Sequence, residues 1–248
     1  MKSKSIILLL SLFLVAAFFL VMPGAGRAAM WIGVQGGPNF VTDNDMKGQD
    51  LRIKNVKTEP AVLAGVIIGY DFVKDGFLGY DWPNWLKYFS LAIDITYNNF
   101  SQKAQDVQII TRQGDRLSMH ISPVDGHMLV LSFLFIAKYG FFPTPELPFG
   151  RLIPYVGVGP GMFFSVAETD YSSYAYPSSD SAELGIVTEA GIRYMVRRNI
   201  SLDAAFRYRY AKPSYDVAYF SNVVGEFYNV GRIYAHQFNA IFRLNYHF

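Results

Sequence analysis

Seven charged side chains carry the strongest chemical signal in this 248-residue chain: Asp94, Glu189, Arg193, Asp203, Arg207, Arg209 and Arg243. Each sits on the polar side of a segment whose opposite side is almost free of charge. If those polar sides face one another, three acids and four arginines share a single interior, where a charge is costly unless it is paired. Two uses follow. The charges form a fixed salt-bridge plug, or their pairs exchange and gate a small conductance. The plug is the simpler expectation, because an interior ringed by eight strands is just wide enough for side chains to fill.

Groupings that could do covalent chemistry are sparse. His120, His127, His236 and His247 each stand alone, with no His-Glu-x-x-His pattern and no second histidine at ligand spacing. Gly157-Val158-Gly159-Pro160-Gly161 has the glycine density of a phosphate loop but lies inside a strand-like run with no helix behind it. Its glycines more simply make room for large neighbours. Cysteine is absent, which removes thiol nucleophiles, disulfides and cysteine-ligated metals. No catalytic residue, metal or cofactor is expected. A formal net charge of +2 gives no nucleic-acid footprint.

The elements that must position the seven charges alternate with a period of two, the strand signature. In the last segment Phe238, Ala240, Phe242, Leu244, Tyr246 and Phe248 share one face, against Gln237, Asn239, Arg243, Asn245 and His247. Phe89, Leu91, Ile93, Ile95 and Tyr97 stand opposite Ser90, Ala92, Asp94, Thr96 and Asn98. Leu202, Ala204, Phe206, Tyr208 and Tyr210 stand opposite Ser201, Asp203, Ala205, Arg207 and Arg209. Five less regular segments, 30–40, 60–72, 126–139, 151–165 and 184–196, bring the expected strands to eight. The connections 41–59, 101–125, 166–183 and 213–232 read as long and polar, and those at 73–86, 140–150 and 197–199 are shorter. Within 101–125, Val107, Ile109 and Thr111 precede Gln113-Gly114-Asp115, with Leu117, Met119 and Ile121 after it. That pattern fits either an extension of strands three and four or a small hairpin.

Periodicity does not say which face points outward. A soluble lipocalin-like barrel would show the charged face to water and would keep its apolar face in the lumen. Here, however, a soluble barrel would have to expose Phe206, Tyr208, Tyr210, Phe238, Phe242 and Phe248 in contiguous stripes, and patches of that size are rare on soluble monomers. A membrane barrel turns the same stripes toward lipid and ends them in aromatic girdles. The fold class expected is therefore all-β: an eight-stranded antiparallel up-and-down transmembrane β-barrel spanning 29–248. It follows an N-terminal signal peptide, 1–28, in which Lys2 and Lys4 precede the uncharged run 6–22 and a small-residue stretch ends at Ala28 or Ala29. Without Lys2, Lys4 and Arg27 the 22 basic residues fall to 19 against 20 acidic ones.

The segments resemble the small outer-membrane β-barrel family, the porin-like, opacity-type relatives of the OmpA transmembrane domain. The resemblance rests on Trp31-Ile32-Gly33-Val34-Gln35-Gly36-Gly37, on Gly65 with Gly69-Tyr70, and on Pro154-Tyr155-Val156-Gly157-Val158-Gly159. It continues through Gly191-Ile192-Arg193-Tyr194, then Asn199-Ile200-Ser201-Leu202-Asp203 running into Arg207-Tyr208-Arg209-Tyr210, and Phe248. Two features depart from it: the turns 73–86 and 140–150 are long, and 101–125 is rich in β-branched residues. The resemblance implies a bacterial outer-membrane location with both termini periplasmic. It also implies that Leu244, Tyr246 and Phe248 form the signal read by the outer-membrane assembly machinery. Its expected partners are outer-membrane lipid and lipopolysaccharide, that machinery with its periplasmic chaperones, and an extracellular ligand taken by the loops. Tyr171, Tyr174, Tyr176, Tyr215, Tyr219 and Tyr228, set among Ser and Asn, have the composition of adaptable binding surfaces. Lipid-modifying enzymes exist in such barrels, but His236 is followed by Gln237 and Phe238, without a deacylase-type His-x-Ser. A non-enzymatic structural or surface-interaction protein is the expectation, a small-conductance porin the second reading, and a lipid-modifying enzyme the third.

Overall fold

The computed structural model describes residues 30–42, 44–47, 51–56, 58–72, 82–111, 116–121, 124–169, 179–212, 217–220, 227–230, 232–233 and 235–248. The expected signal peptide lies outside them, as do Gly114, Tyr171, Tyr174, Tyr176 and Tyr215.

Eight strands pair in sequence order and close on themselves. They are β1 (Met30–Val41), β4 (Ala61–Asp71), β5 (Phe89–Gln102), β8 (Val124–Lys138), β9 (Leu152–Thr169), β10 (Ser179–Arg197), β11 (Ile200–Ala211) and β15 (Ala235–His247). Every neighbouring pair is antiparallel, and β15 pairs back to β1 with Val34 opposite Leu244 and Gln35 opposite Arg243. The chain is a closed eight-stranded up-and-down barrel, and all eight expected segments are its staves. Closure leaves the barrel no free edge, so every strand finds hydrogen-bond partners on both sides.

Side-chain alternation sorts the two faces. Along β15, Gln237, Asn239, Ile241, Arg243 and Asn245 are buried, while Phe242, Leu244, Tyr246 and Phe248 are exposed. Along β5, Ser90, Ala92, Asp94, Thr96 and Asn98 are buried, while Leu91, Ile93 and Tyr97 are exposed. Apolar outside and polar inside is the inverse of a water-soluble barrel and the arrangement of a membrane-spanning one. A transmembrane strand needs about 9–11 residues. At 18 and 19 residues, β9 and β10 are far longer and project beyond such a span at the end away from the termini.

That same end carries more structure than periodicity indicates. The connection 101–125 is a hairpin, β6 (Gln105–Thr111) with β7 (Arg116–Ile121), between an extended β5 and an extended β8. Both of the alternatives read from sequence are realised. The stretches 41–59 and 213–232, expected as polar loops, also contain strands. Here β2 (Asn44–Lys47), β3 (Leu51–Val56) and β14 (Arg232–Ile233) join β6 and β7 in a five-stranded sheet. A separate ribbon pairs β12 (Val217–Phe220) with β13 (Phe227–Val230). Strands this short are paired by tertiary context, which period-two patterning does not register.

The end that holds the termini carries a compact turn. After β8 the chain folds back through 141–150, where Thr144 and Leu147 exchange backbone hydrogen bonds and Phe141 bridges to Leu152. Gly150 has φ +131°, and a Cβ there would lie 2.5 Å from the Phe141 carbonyl oxygen, so only glycine fits. The turn tucks Leu147 against Ile153 and Met195. On the neighbouring wall Trp31 lies flat across Gly69, where a Cβ would come within 2.2 Å of the indole.

Candidate functional site

Staves from opposite walls aim charged side chains at the same section of lumen. Register fixes the first contacts: Glu189 is opposite Arg207 and Arg193 opposite Asp203 on the β10–β11 pair, and Asp203 is opposite Arg243 on the β11–β15 pair. All seven charges named from the sequence are buried there.

Six of them form one alternating chain. Asp94 receives Nη1 and Nη2 of Arg207, each at 2.9 Å. Arg207 Nε also donates to Glu189 Oε2 at 2.7 Å. Glu189 accepts a second guanidinium, from Arg243, at 3.0 and 3.2 Å. Arg243 Nη1 reaches Asp203 Oδ2 at 3.5 Å. Asp203 in turn is held bidentately by Arg193, with Nε at 3.1 Å from Oδ1 and Nη2 at 3.1 Å from Oδ2. Planar forks gripping carboxylates from two sides fix geometry as well as energy.

Neutral groups fill the remaining valences. Gln35 on β1 bridges the chain, its amide donating to Asp94 and its carbonyl accepting Arg243 Nε at 3.0 Å and Nη2 at 2.8 Å. Tyr155 donates its hydroxyl to Glu189 at 3.0 Å and accepts from Arg243 at 3.1 Å. Asn245 donates to Asp203 at 2.9 Å. The Arg193 guanidinium stacks 4.2 Å above the Trp31 ring, a cation–π contact at the foot of the network. Gln35, Tyr155 and Trp31 were not singled out as lumen residues from sequence. Their inward parity on the expected strands was the available signal. The seventh charge, Arg209, stands apart: its Nη2 donates to Thr96 at 2.5 Å and lies 3.7 Å from Asp94.

Nearer the termini a separate pair, Lys138 and Asp71, meets at 2.6 Å, and Ser90 donates to the same carboxylate at 2.6 Å. Asp71 and Lys138 line a cavity of about 330 Å³ beside the Leu147 turn, with Arg198 and His247 also on its wall.

The histidines do not assemble a catalytic centre among the described residues. His127 contacts the Tyr97 hydroxyl at 2.8 Å, and His236 contacts that of Tyr208 at 2.8 Å. His247 Nε2 does lie 2.9 Å from Ser201 Oγ, a contact between positions 46 residues apart that no sequence motif announces. Asp203 approaches that serine at 3.5 Å and does not orient the histidine, as a triad requires. Ser201 is fully buried, so no substrate carbonyl reaches it. Among the described residues no cluster of three or more His, Asp or Glu is arranged to hold a metal.

Leu244 and Tyr246 lie on the outer face of β15, and Phe248, exposed just past its end, has its amide hydrogen-bonded to the Met30 carbonyl at 3.0 Å. Tyr219 and Tyr228 are register partners across the β12–β13 ribbon.

No family model matches the chain, and no curated protein matches its sequence. Several solved structures have a similar arrangement of strands. Neisserial surface protein A is 12% identical with a TM-score of 0.49, the match covering 90% of this chain and 100% of that one. Outer membrane protein OprG from Pseudomonas aeruginosa is 16% identical with a TM-score of 0.48, covering 89% and 97%. Outer membrane protease OmpT from Escherichia coli is 8% identical with a TM-score of 0.46, covering 92% and 99%. At such identities and scores the likeness assigns no role.

Proposed function

We propose that this chain is an integral protein of a bacterial outer membrane, non-enzymatic, whose lumen is a sealed charge network and whose work is done at its surface. The observation that carries the reading is the alternating chain from Asp94 to Arg193. Six buried charges and three neutral bridges occupy the cross-section of a barrel that has little spare width. A protein built to conduct would leave part of that section to water. A protein built to catalyse would expose a nucleophile or base, and Ser201 is buried.

The apolar exterior supports lipid as the solvent, and a closed antiparallel barrel is one of the few structures that satisfies its backbone there. Outer-membrane lipid and lipopolysaccharide are then the belt's partners. The assembly machinery and periplasmic chaperones are the partners of the Leu244, Tyr246 and Phe248 face. Both termini are periplasmic in this reading. The five-stranded sheet and the β12–β13 ribbon then stand outside the cell, where they present an extracellular ligand with Tyr219, Tyr228 and the tyrosines of 171–176 and 215.

The orientation is tested by cysteine labelling, which the cysteine-free chain permits without background. Lys103 is exposed at the end carrying the extra sheets, and Arg198 is exposed at the end carrying the termini. Lys103→Cys should react with an impermeant thiol reagent on whole cells, and Arg198→Cys only after the outer membrane is opened. The opposite pattern overturns the orientation, and labelling of neither in isolated outer membranes overturns the location.

A further inference from the structure

Among the described residues, the charges buried in the lumen do not balance. Asp94, Arg207, Glu189, Arg243, Asp203 and Arg193 alternate in sign, three of each, and the Asp71–Lys138 pair is neutral by itself. Of the buried described charges, Arg209 is the cation left over. Asp94, 3.7 Å away, is already gripped through both oxygens by Arg207 and also accepts Gln35. Arg209 is fully buried, yet its Nε and Nη1 have no hydrogen-bond partner.

The surroundings of Arg209 are short of partners too. It spans the lumen from β11 to Thr96 on β5. The next inward position on β5 is Asn98, fully buried with both its amide nitrogen and its amide oxygen unpartnered. Gln237 is the register partner of Arg209 and reaches Met128, itself the register partner of Asn98. Arg209, Gln237, Met128, Asn98 and Thr96 therefore bound one section of lumen from several walls. Unpartnered donors on neighbouring positions of one desolvated section are rare, because each forfeits its hydration with nothing in return.

We propose that this section binds one monovalent inorganic anion of halide size, held by Nε and Nη1 of Arg209 and by the Asn98 amide. Water alone would satisfy the donors but not the surplus charge, and an uncompensated buried cation is the costlier defect. The deficit is one unit, which sets the valence. The width of an eight-strand interior filled by side chains sets the size. The anion completes the plug at its outer end, as Trp31 completes it at the inner.

The test uses the refolded full-length barrel in detergent. The midpoint of thermal unfolding, read by heat-modifiable gel mobility, is measured in sodium bromide, chloride and gluconate at equal ionic strength. Gluconate, a bulky organic anion, is the control. Bromide and chloride should raise the midpoint saturably over gluconate, by about 2–4 °C for a chain of this length. Arg209→Gln should abolish the difference, whereas general salt screening would act equally on both proteins. Bromide-soaked wild-type crystals should show an anomalous peak within hydrogen-bond distance of Arg209 Nε, a readout that survives if the variant fails to fold. Equal wild-type midpoints in bromide and gluconate, an unchanged halide shift in Arg209→Gln, or bromide peaks on the protein surface alone would each overturn the site.

Discussion

Glu189 is the residue on which the lumen network turns. It is the one carboxylate that binds two of the paired arginines strongly, and Tyr155 donates to it as well. Neutralising it leaves Arg207 to Asp94 alone and Arg243 to a 3.5 Å contact with Asp203 and neutral partners, with one more uncompensated cation in a desolvated interior. Removing one partner from a buried pair costs about 3–5 kcal/mol, most of it the penalty of the orphaned charge. Glu59, which pairs with Lys103 at an exposed site, is the natural control, since surface pairs are worth about 0–1 kcal/mol. Glu189→Gln should therefore lower the midpoint of denaturant unfolding in lipid far more than Glu59→Gln does. Equal effects of the two substitutions would mean that the network is not holding the barrel together. The identity of these residues was legible in the sequence, because a charge in an otherwise apolar alternating strand has few places to go. Their pairing was not, since Asp94 meets Arg207 across 113 positions, a juxtaposition made only by barrel closure.

The strands show the same division between what alternation reveals and what closure decides. All eight staves were visible because each one has lipid on one side and a packed lumen on the other, so polarity flips at every residue. The additional strands β2, β3, β6, β7, β12, β13 and β14 lie beyond the long staves, where neither face is forced to be apolar, and only β6 and β7 left a trace in the sequence. Strand β15 closes the barrel, and its outer face carries Leu244 and Tyr246 and leads into Phe248. If that face is read during assembly, Phe248→Ala should leave less heat-modifiable barrel in the outer membrane and more degraded protein in the periplasm. Folding of the purified variant into detergent micelles should be nearly unaffected, because Phe248 lies past the end of β15. Wild-type amounts of membrane-inserted Phe248→Ala barrel would remove the assembly role.

At the scale of the whole molecule, the proposed reading makes the barrel a low-dielectric tube whose interior is closed by charge. In that reading the ionic chain seals the middle, while Leu147, Ile153 and Met195 pack together at the end that holds the termini. A gate would need these pairs to exchange partners, and each exchange passes through a state with unpaired buried charge. That cost keeps the closed state dominant unless something outside the barrel supplies the difference. The most direct measurement is planar-bilayer conductance of the refolded wild-type protein across a range of voltages. A sealed lumen predicts no steady current above the bare bilayer. A steady, reproducible open-channel conductance in the wild-type protein would contradict it.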